Sequence, residues 1–246
     1  MDVATAMNEK KRWLIVVVFA LAMAWVEAAA VVYIRTLVNR IEPHQPEPMP
    51  RLNHLDPVEL VREAATLVML FAVGGLAGRT WRSRLGYTLV AFGVWDIFYY
   101  FFLKIICDWP RSLMDWDILF LLPLPWWGPV LAPMLIAASM VLGGTLITQY
   151  DEPGRPLWPS RGWFVLNVLG IALALYVFMA DTIAASGGGE EAIRRVLPTR
   201  FNWPLFLVSL VLMAAPLGDL FSQVQARRGP ATDVPSSRPR LSTHEK

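Results

Sequence analysis

Six stretches of the chain stay apolar long enough to cross a bilayer, whose hydrocarbon core needs about 20 such residues per helix. They run over 13–34, 58–78, 85–107, about 129–149, 162–181 and 204–224. The second opens with Asp56-Pro57, a capping side chain followed by proline at the first helical position. The sixth opens on Pro204. The first run is too long for the apolar region of a signal peptide and continues past Ala28-Ala29-Ala30, so it reads as a retained helix. Polar segments separate the spans. Residues 41–56 are Pro-rich and read as an exposed loop. Gly187-Gly188-Gly189 with Glu190, Glu191, Arg194 and Arg195 reads as a turn and a short surface helix. The expected fold is therefore all-α: a polytopic transmembrane bundle over 1–228, with a disordered polar tail over 229–246.

One stretch departs from a simple span. Residues 118–147 carry no charge but contain Pro123, Pro125, Pro129 and Pro133. A straight helix does not carry interior prolines at that density. Ser112 and Asp115 resemble a capping box. The pattern predicts a short re-entrant or interfacial helix at about 113–122, a bend at Pro123-Leu124-Pro125, and then the fourth span. Trp116, Trp126 and Trp127 are expected at headgroup level.

Orientation follows from the basic flanks. Lys10, Lys11 and Arg12 precede the first span, Arg79, Arg82 and Arg84 follow the second, Arg155 and Arg161 follow the fourth, and Arg227 and Arg228 follow the sixth. With six spans all lie on one side, which predicts a bacterial inner-membrane protein with both termini cytoplasmic.

Composition narrows the classes. The chain is 55% hydrophobic and 17% charged, where soluble domains carry about a quarter charged residues. The net charge of +2 gives no basic stripe for nucleic acid. The single cysteine, Cys107, excludes an internal disulfide and paired-cysteine metal motifs. The histidines, His44, His54 and His244, all lie outside the apolar spans, which argues against a haem between membrane histidines. No nucleophile-elbow, zinc-protease or phosphate-loop motif is present. Asp108, Asp115 and Asp117 read as a solvated acidic loop in preference to a Mg²⁺ or Ca²⁺ site, and no cofactor or metal is expected.

The candidate chemistry lies in the first three spans. Ala20, Ala24, Glu27, Val31 and Arg35 share one helical face; Glu63, Gly74 and Gly78 share another, with Glu59 and Arg62 within a turn of Glu63; Gly86, Leu89, Gly93, Asp96, Tyr100 and Lys104 share a third. Small residues let helices approach closely. If these faces meet, Glu27, Glu63 and Asp96 converge in the outer half, with Arg35, Arg62 and Lys104 nearby. A charge at mid-bilayer costs at least about 2.5–3.5 kcal/mol on insertion scales, so these acids should face the interior and be paired, protonated or hydrated. Glu27–Arg62 and Glu63–Arg35 are the pairs the positions suggest. Tyr99 and Tyr100 are candidate donors to a ligand, and Phe98, Phe101 and Phe102 are expected against lipid. Asn167 is a candidate interhelical hydrogen bonder.

Three strings carry a resemblance: residues 26–33 (VEAAAVVY), 95–100 (WDIFYY) and 122–129 (LPLPWWGP). They resemble bacterial multi-pass membrane proteins of unknown activity. Trp95-Asp96 followed by Leu122-Pro123-Leu124 is also similar to the membrane lycopene cyclase domain, which has Trp-Asp and then Leu-Pro-x-Glu-Glu. That likeness implies an isoprenoid substrate, but Pro125-Trp126 stands in place of the paired glutamates. Three functions are thus compatible with the residues. The first is a transporter-like or proton-coupled protein binding a small ligand at Glu27, Glu63 and Asp96. The second is a membrane enzyme on a lipid or isoprenoid, with Asp96 as acid and Tyr99 or Tyr100 assisting. The third is a non-catalytic subunit whose buried charges serve assembly with membrane-complex partners.

Overall fold

The computed structural model describes residues 8–48, 56–152 and 154–228. The expected tail and the capping role expected of Asp56 lie outside the described side chains. Six helices are long and apolar enough to cross a membrane: α1 (Glu9–Leu37), α2 (Asp56–Ala77), α3 (Trp81–Cys107), α4 (Leu131–Tyr150), α5 (Arg161–Ala185) and α7 (Trp203–Arg228). A six-residue α6 (Gly189–Arg194) follows α5 through a 3-10 turn, as the glycine run predicts. The expected spans are all present, with ends shifted. Asn8 caps α1 by accepting from Lys10 N. Thr80 and Ser83 form a capping box that starts α3 at Trp81, ahead of the apolar run. Asn39 and Asp108, just past α1 and α3, take left-handed φ values of 53° and 54°. These are residue types that tolerate that conformation and stop a helix there.

Helix α3 is the centre of the first half of the bundle, packed against α1, α2 and α4. Its neighbours come close because glycines stand at the contacts. A Cβ on Gly74 of α2 would lie 2.0 Å from Thr88 Oγ1, and one on Gly93 of α3 would lie 2.5 Å from the Ala137 carbonyl of α4. The Gly93 contact differs from expectation: Gly86 and Gly93 turn toward α4, because α3 is wrapped by three helices and its small residues serve the fourth span as well. The second half pairs α5 with α7 and leans on α4, around Ala132, Ala174, Val177, Phe178 and Phe206. Asn167 Nδ2 donates to Met213 O at 2.7 Å, in the turn where Pro216 interrupts the ladder of α7. Outward side chains such as Val26, Val68, Phe71, Val165 and Val211 are apolar and exposed, as lipid-facing positions require.

The segment before α4 corrects one expectation. It is irregular and folds back on the bundle, but it forms no helix at 113–122. Strands β1 (Trp116–Ile118) and β2 (Trp127–Pro129) pair antiparallel, with Asp117 opposite Gly128. Leu119 N–Trp126 O and Trp126 N–Phe120 O, both 2.8 Å, continue the ladder toward the tip. Prolines at 123, 125 and 129 remove the donors a helix needs, and the β-favouring Trp-Asp-Ile run takes the ladder instead. Ser112 and Asp115 do cap each other's turn: Asp115 Oδ2 accepts from Ser112 N, and Ser112 Oγ accepts from Met114 N. The result is one turn, since nothing beyond it continues a helix. Gly128 packs on Phe178, and Thr182 Oγ1 donates to Pro125 O at 2.8 Å, so α5 holds the hairpin. Trp127 is buried and is not exposed at headgroup level.

The described part of the Pro-rich loop, 41–48, is also more ordered than an exposed linker. Arg40 is buried. Its guanidinium donates to the carbonyls of Pro43, Gln45, Glu47 and Pro48 at 2.8–3.2 Å. His44 stacks on Trp116 of the hairpin and sits 2.7 Å from Pro198 O. The loop is thereby pinned over the end of the bundle.

Candidate functional site

A cavity of about 410 Å³ opens at the end where α1, α3 and α5 finish, within the usual range for small-ligand sites. Helices α1 and α2 meet only weakly while both pack on α3. The cavity fills the space between their outer halves and is roofed by the hairpin, the Arg40 loop and α6. Glu27, Glu63, Asp96, Tyr99, Tyr100, Arg35 and Arg62 all line it. Glu27 lies ten residues inside the C-terminus of α1, about 15 Å along the helix, so the cavity reaches deep into the bundle.

The charges are arranged in three ways. Arg62 bridges Glu27 on α1 and Glu59 on its own helix, with Nε 2.8 Å from Glu59 Oε2. The Thr66 hydroxyl donates to the other oxygen of Glu27. The expected Glu27–Arg62 pair is therefore formed, and it ties α1 to α2 across the cavity. The expected Glu63–Arg35 pair is not. Glu63 accepts from Leu121 N with both oxygens, at 3.2 and 3.0 Å, anchoring the hairpin tip to α2. Arg35 Nη2 instead lies 2.7 Å from Asp117 Oδ1, and its guanidinium stacks 4.4 Å from the Trp109 ring.

Asp117 is the functional candidate that sequence reasoning placed in solvent. It is 1% exposed, because the β1 register turns it inward beneath Arg35. Burial pushes its carboxyl up from the ordinary aspartate range, while the Arg35 guanidinium and the Ile118 N–H oppose the shift. The signal for it was the inward–outward alternation of Trp116-Asp117-Ile118, legible only once the segment is read as a strand. Glu59 and Thr66 were likewise not singled out as site residues, although Glu59 stood within a turn of Glu63.

Lys104 lies apart from the cluster. It is two turns above Asp96, is 46% exposed, and pairs with Asp108 at 2.7 Å. That hydrogen bond and charge hold the Asp108 carboxyl below the usual aspartate range. The three loop aspartates have separate partners: Lys104 for Asp108, backbone N–H groups for Asp115 and Arg35 for Asp117. Among the described residues no group of three acid, His or Cys side chains is placed to hold a metal ion.

Asp96, unlike Asp117, has no arginine paired with it among the described residues. Its side chain is 8% exposed and lines the cavity. Its Oδ2 is buried with no hydrogen-bond partner among the described residues, and the same holds for Nε1 of the adjacent Trp95. Tyr99 stacks with Trp95 at 6.2 Å and meets Tyr100 edge-on at 5.0 Å, and all three line the cavity with Asp96. Phe101 is exposed, as lipid contact predicts, whereas Phe102 packs edge-on to Trp25 of α1.

No protein-family model matches this chain, and neither a curated protein nor a solved structure is significantly similar to it. The class rests on the fold: a multi-pass membrane protein of six apolar helices with an ionisable cavity in one half.

Proposed function

We propose that the protein is a transporter-like, proton-coupled binding protein that takes a small ligand into this cavity. We place it in the bacterial cytoplasmic membrane with both chain ends in the cytoplasm, so that the cavity opens outward. The observation that carries the reading is Asp96: a buried carboxylate with an unpartnered oxygen, on the wall of a ligand-sized space. Ionisable groups within a membrane bundle face its interior or a wet cavity and mark ligand or proton paths. An assembly subunit would satisfy all its buried charges, and Asp96 departs from that pattern.

The test is purification of the full chain from native membranes, with mass spectrometry of the small molecules that travel with it. Wild type should retain a compound that Asp96→Asn and Glu27→Gln both lose while remaining monodisperse and helical. Retention of the same compounds by both variants would refute the assignment.

A second reading is an enzyme on an isoprenoid or other lipid. It is favoured by one juxtaposition. Asp96 and Pro125 line the same cavity, so the Trp-Asp string and the position of the first missing glutamate come together. Glu63 reaches Leu121 from α2, bringing a carboxylate close to the position of the missing glutamates. In that reading Asp96 is the general acid.

A further inference from the structure

Charge balance around the cavity identifies the kind of ligand, and this inference rests on the binding reading above. Among the described residues, Glu27, Glu59, Glu63, Asp96 and Glu190 line the space, and Asp117 stands directly behind Arg35. Four arginines answer these six acids: Arg35, Arg40, Arg62 and Arg194. Arg62 is shared between two carboxylates, and Arg35 is held by Asp117. The Arg40 guanidinium donates to four backbone carbonyls. Glu63 has a backbone N–H for a partner, and Asp96 Oδ2 has none.

On this count the acids outnumber the arginines by two in a space walled by helices. Uncompensated buried charge is too costly to persist, and the site must take up protons or bind a cation. The rest of the wall suits an organic cation. Trp95, Tyr99, Tyr100 and Phe120 line the cavity together with Asp96, and Phe120 packs against Trp95 at 6.4 Å. Aromatic faces attract ammonium groups, most strongly when both are desolvated. An anionic ligand would meet the surplus acids, and the guanidinium groups of Arg35 and Arg62 are already engaged by Asp117 and by Glu27 and Glu59.

We propose that the ligand is a protonated amine on an apolar or aromatic body, its ammonium seated on Asp96 and the surplus negative charge of the cavity, and that it exchanges there for protons held by the empty site. The titratable groups that line the cavity with Asp96 are the acids and arginines named above from α1, α2, the Arg40 loop and α6, with Tyr99 and Tyr100 of its own helix, and Asp117 of the hairpin stands behind Arg35. Helix α4 contributes only apolar and small residues beside Gly93.

The experiment is calorimetry on the detergent-solubilised full chain with three probes of one skeleton: 1-naphthylmethylamine, 1-naphthalenemethanol and 1-naphthoate. Protein-free micelle titrations are subtracted, and two buffers of different ionisation enthalpy read proton release. The amine should bind at least tenfold more tightly than the alcohol and release protons, with the carboxylate weakest. Asp96→Asn should weaken amine binding at least tenfold, Asp96→Glu should restore most of it, and Lys104→Ala, outside the cavity, should change nothing. The probe comparison uses wild type, so it decides the matter even if Asp96→Asn fails to fold. If the alcohol or carboxylate binds as well as the amine, and Val31→Trp in the cavity wall abolishes that binding, the cationic class is overturned and the cavity reading stands. If none of the three binds, both fall.

Discussion

The two ends of the bundle are built on opposite principles. At the end where α1 begins, small residues draw the helices together and charged groups are tied off. Gly74 meets Thr88, and Gly144 lies against the Gly86 carbonyl. Arg12 donates to Ala77 O, the Tyr87 hydroxyl to Glu9, and Arg82 and Thr80 to Asp151. Among the described residues the Gln149 amide is a neutral donor there without a partner. At the hairpin end, larger polar side chains occupy the faces that small residues fill below. There α1 and α2 stand apart, and among the described residues Trp95 Nε1, Asp96 Oδ2 and Asp117 Oδ2 have no partner. Tight packing leaves no room for a ligand, and satisfied charge leaves nothing for a ligand to do. The end that relaxes both conditions is the end with the site.

The contrast is breakable by substitution. The largest effect is expected from Arg35→Met. It leaves Asp117 buried without its counter-charge, a change that costs about 3–5 kcal/mol in comparable buried pairs. Thermal unfolding followed by circular dichroism should show a marked loss, restored in part by adding Asp117→Leu. A smaller loss, about 1–3 kcal/mol, is expected from Gly93→Leu, which drives a side chain into the Ala137 carbonyl. If that variant is as stable as wild type, the close approach of α3 and α4 is not what holds this half together. The smallest effect is expected from Asp96→Asn. It removes no ion pair found among the described residues, so the loss should fall well below that of Arg35→Met. A loss as large as that of Arg35→Met would place Asp96 among the structural pairs and remove the difference between the two ends.

Much of this was legible in the chain. The six spans follow from apolar length alone, since a bilayer imposes a minimum run on any helix that crosses it. The convergence of Glu27, Glu63 and Asp96 followed from helical spacing, because charge in a membrane must turn inward. Pairing was another matter. Arg62 sits one position before Glu63 yet bonds Glu59 and Glu27, because adjacent helical residues point in different directions. Lys104 shares a face with Asp96 on paper but ends in the exposed zone with Asp108, two turns farther along the axis. Asp117 was misplaced because its segment was read as a short helix and its carboxylate as solvated, and only a strand's alternation turns it inward.

Apolar length, helical period and the cost of membrane charge thus determined the class of the protein, its six helices and the inward turn of its acids; these are one-dimensional properties that the residues carry with them. The hairpin, the burial of Asp117, the choice of partner for each arginine and the solitude of Asp96 belong to the tertiary structure. They depend on which segment roofs the gap between α1 and α2, and that is a contact between residues far apart in the chain, with no local pattern to announce it.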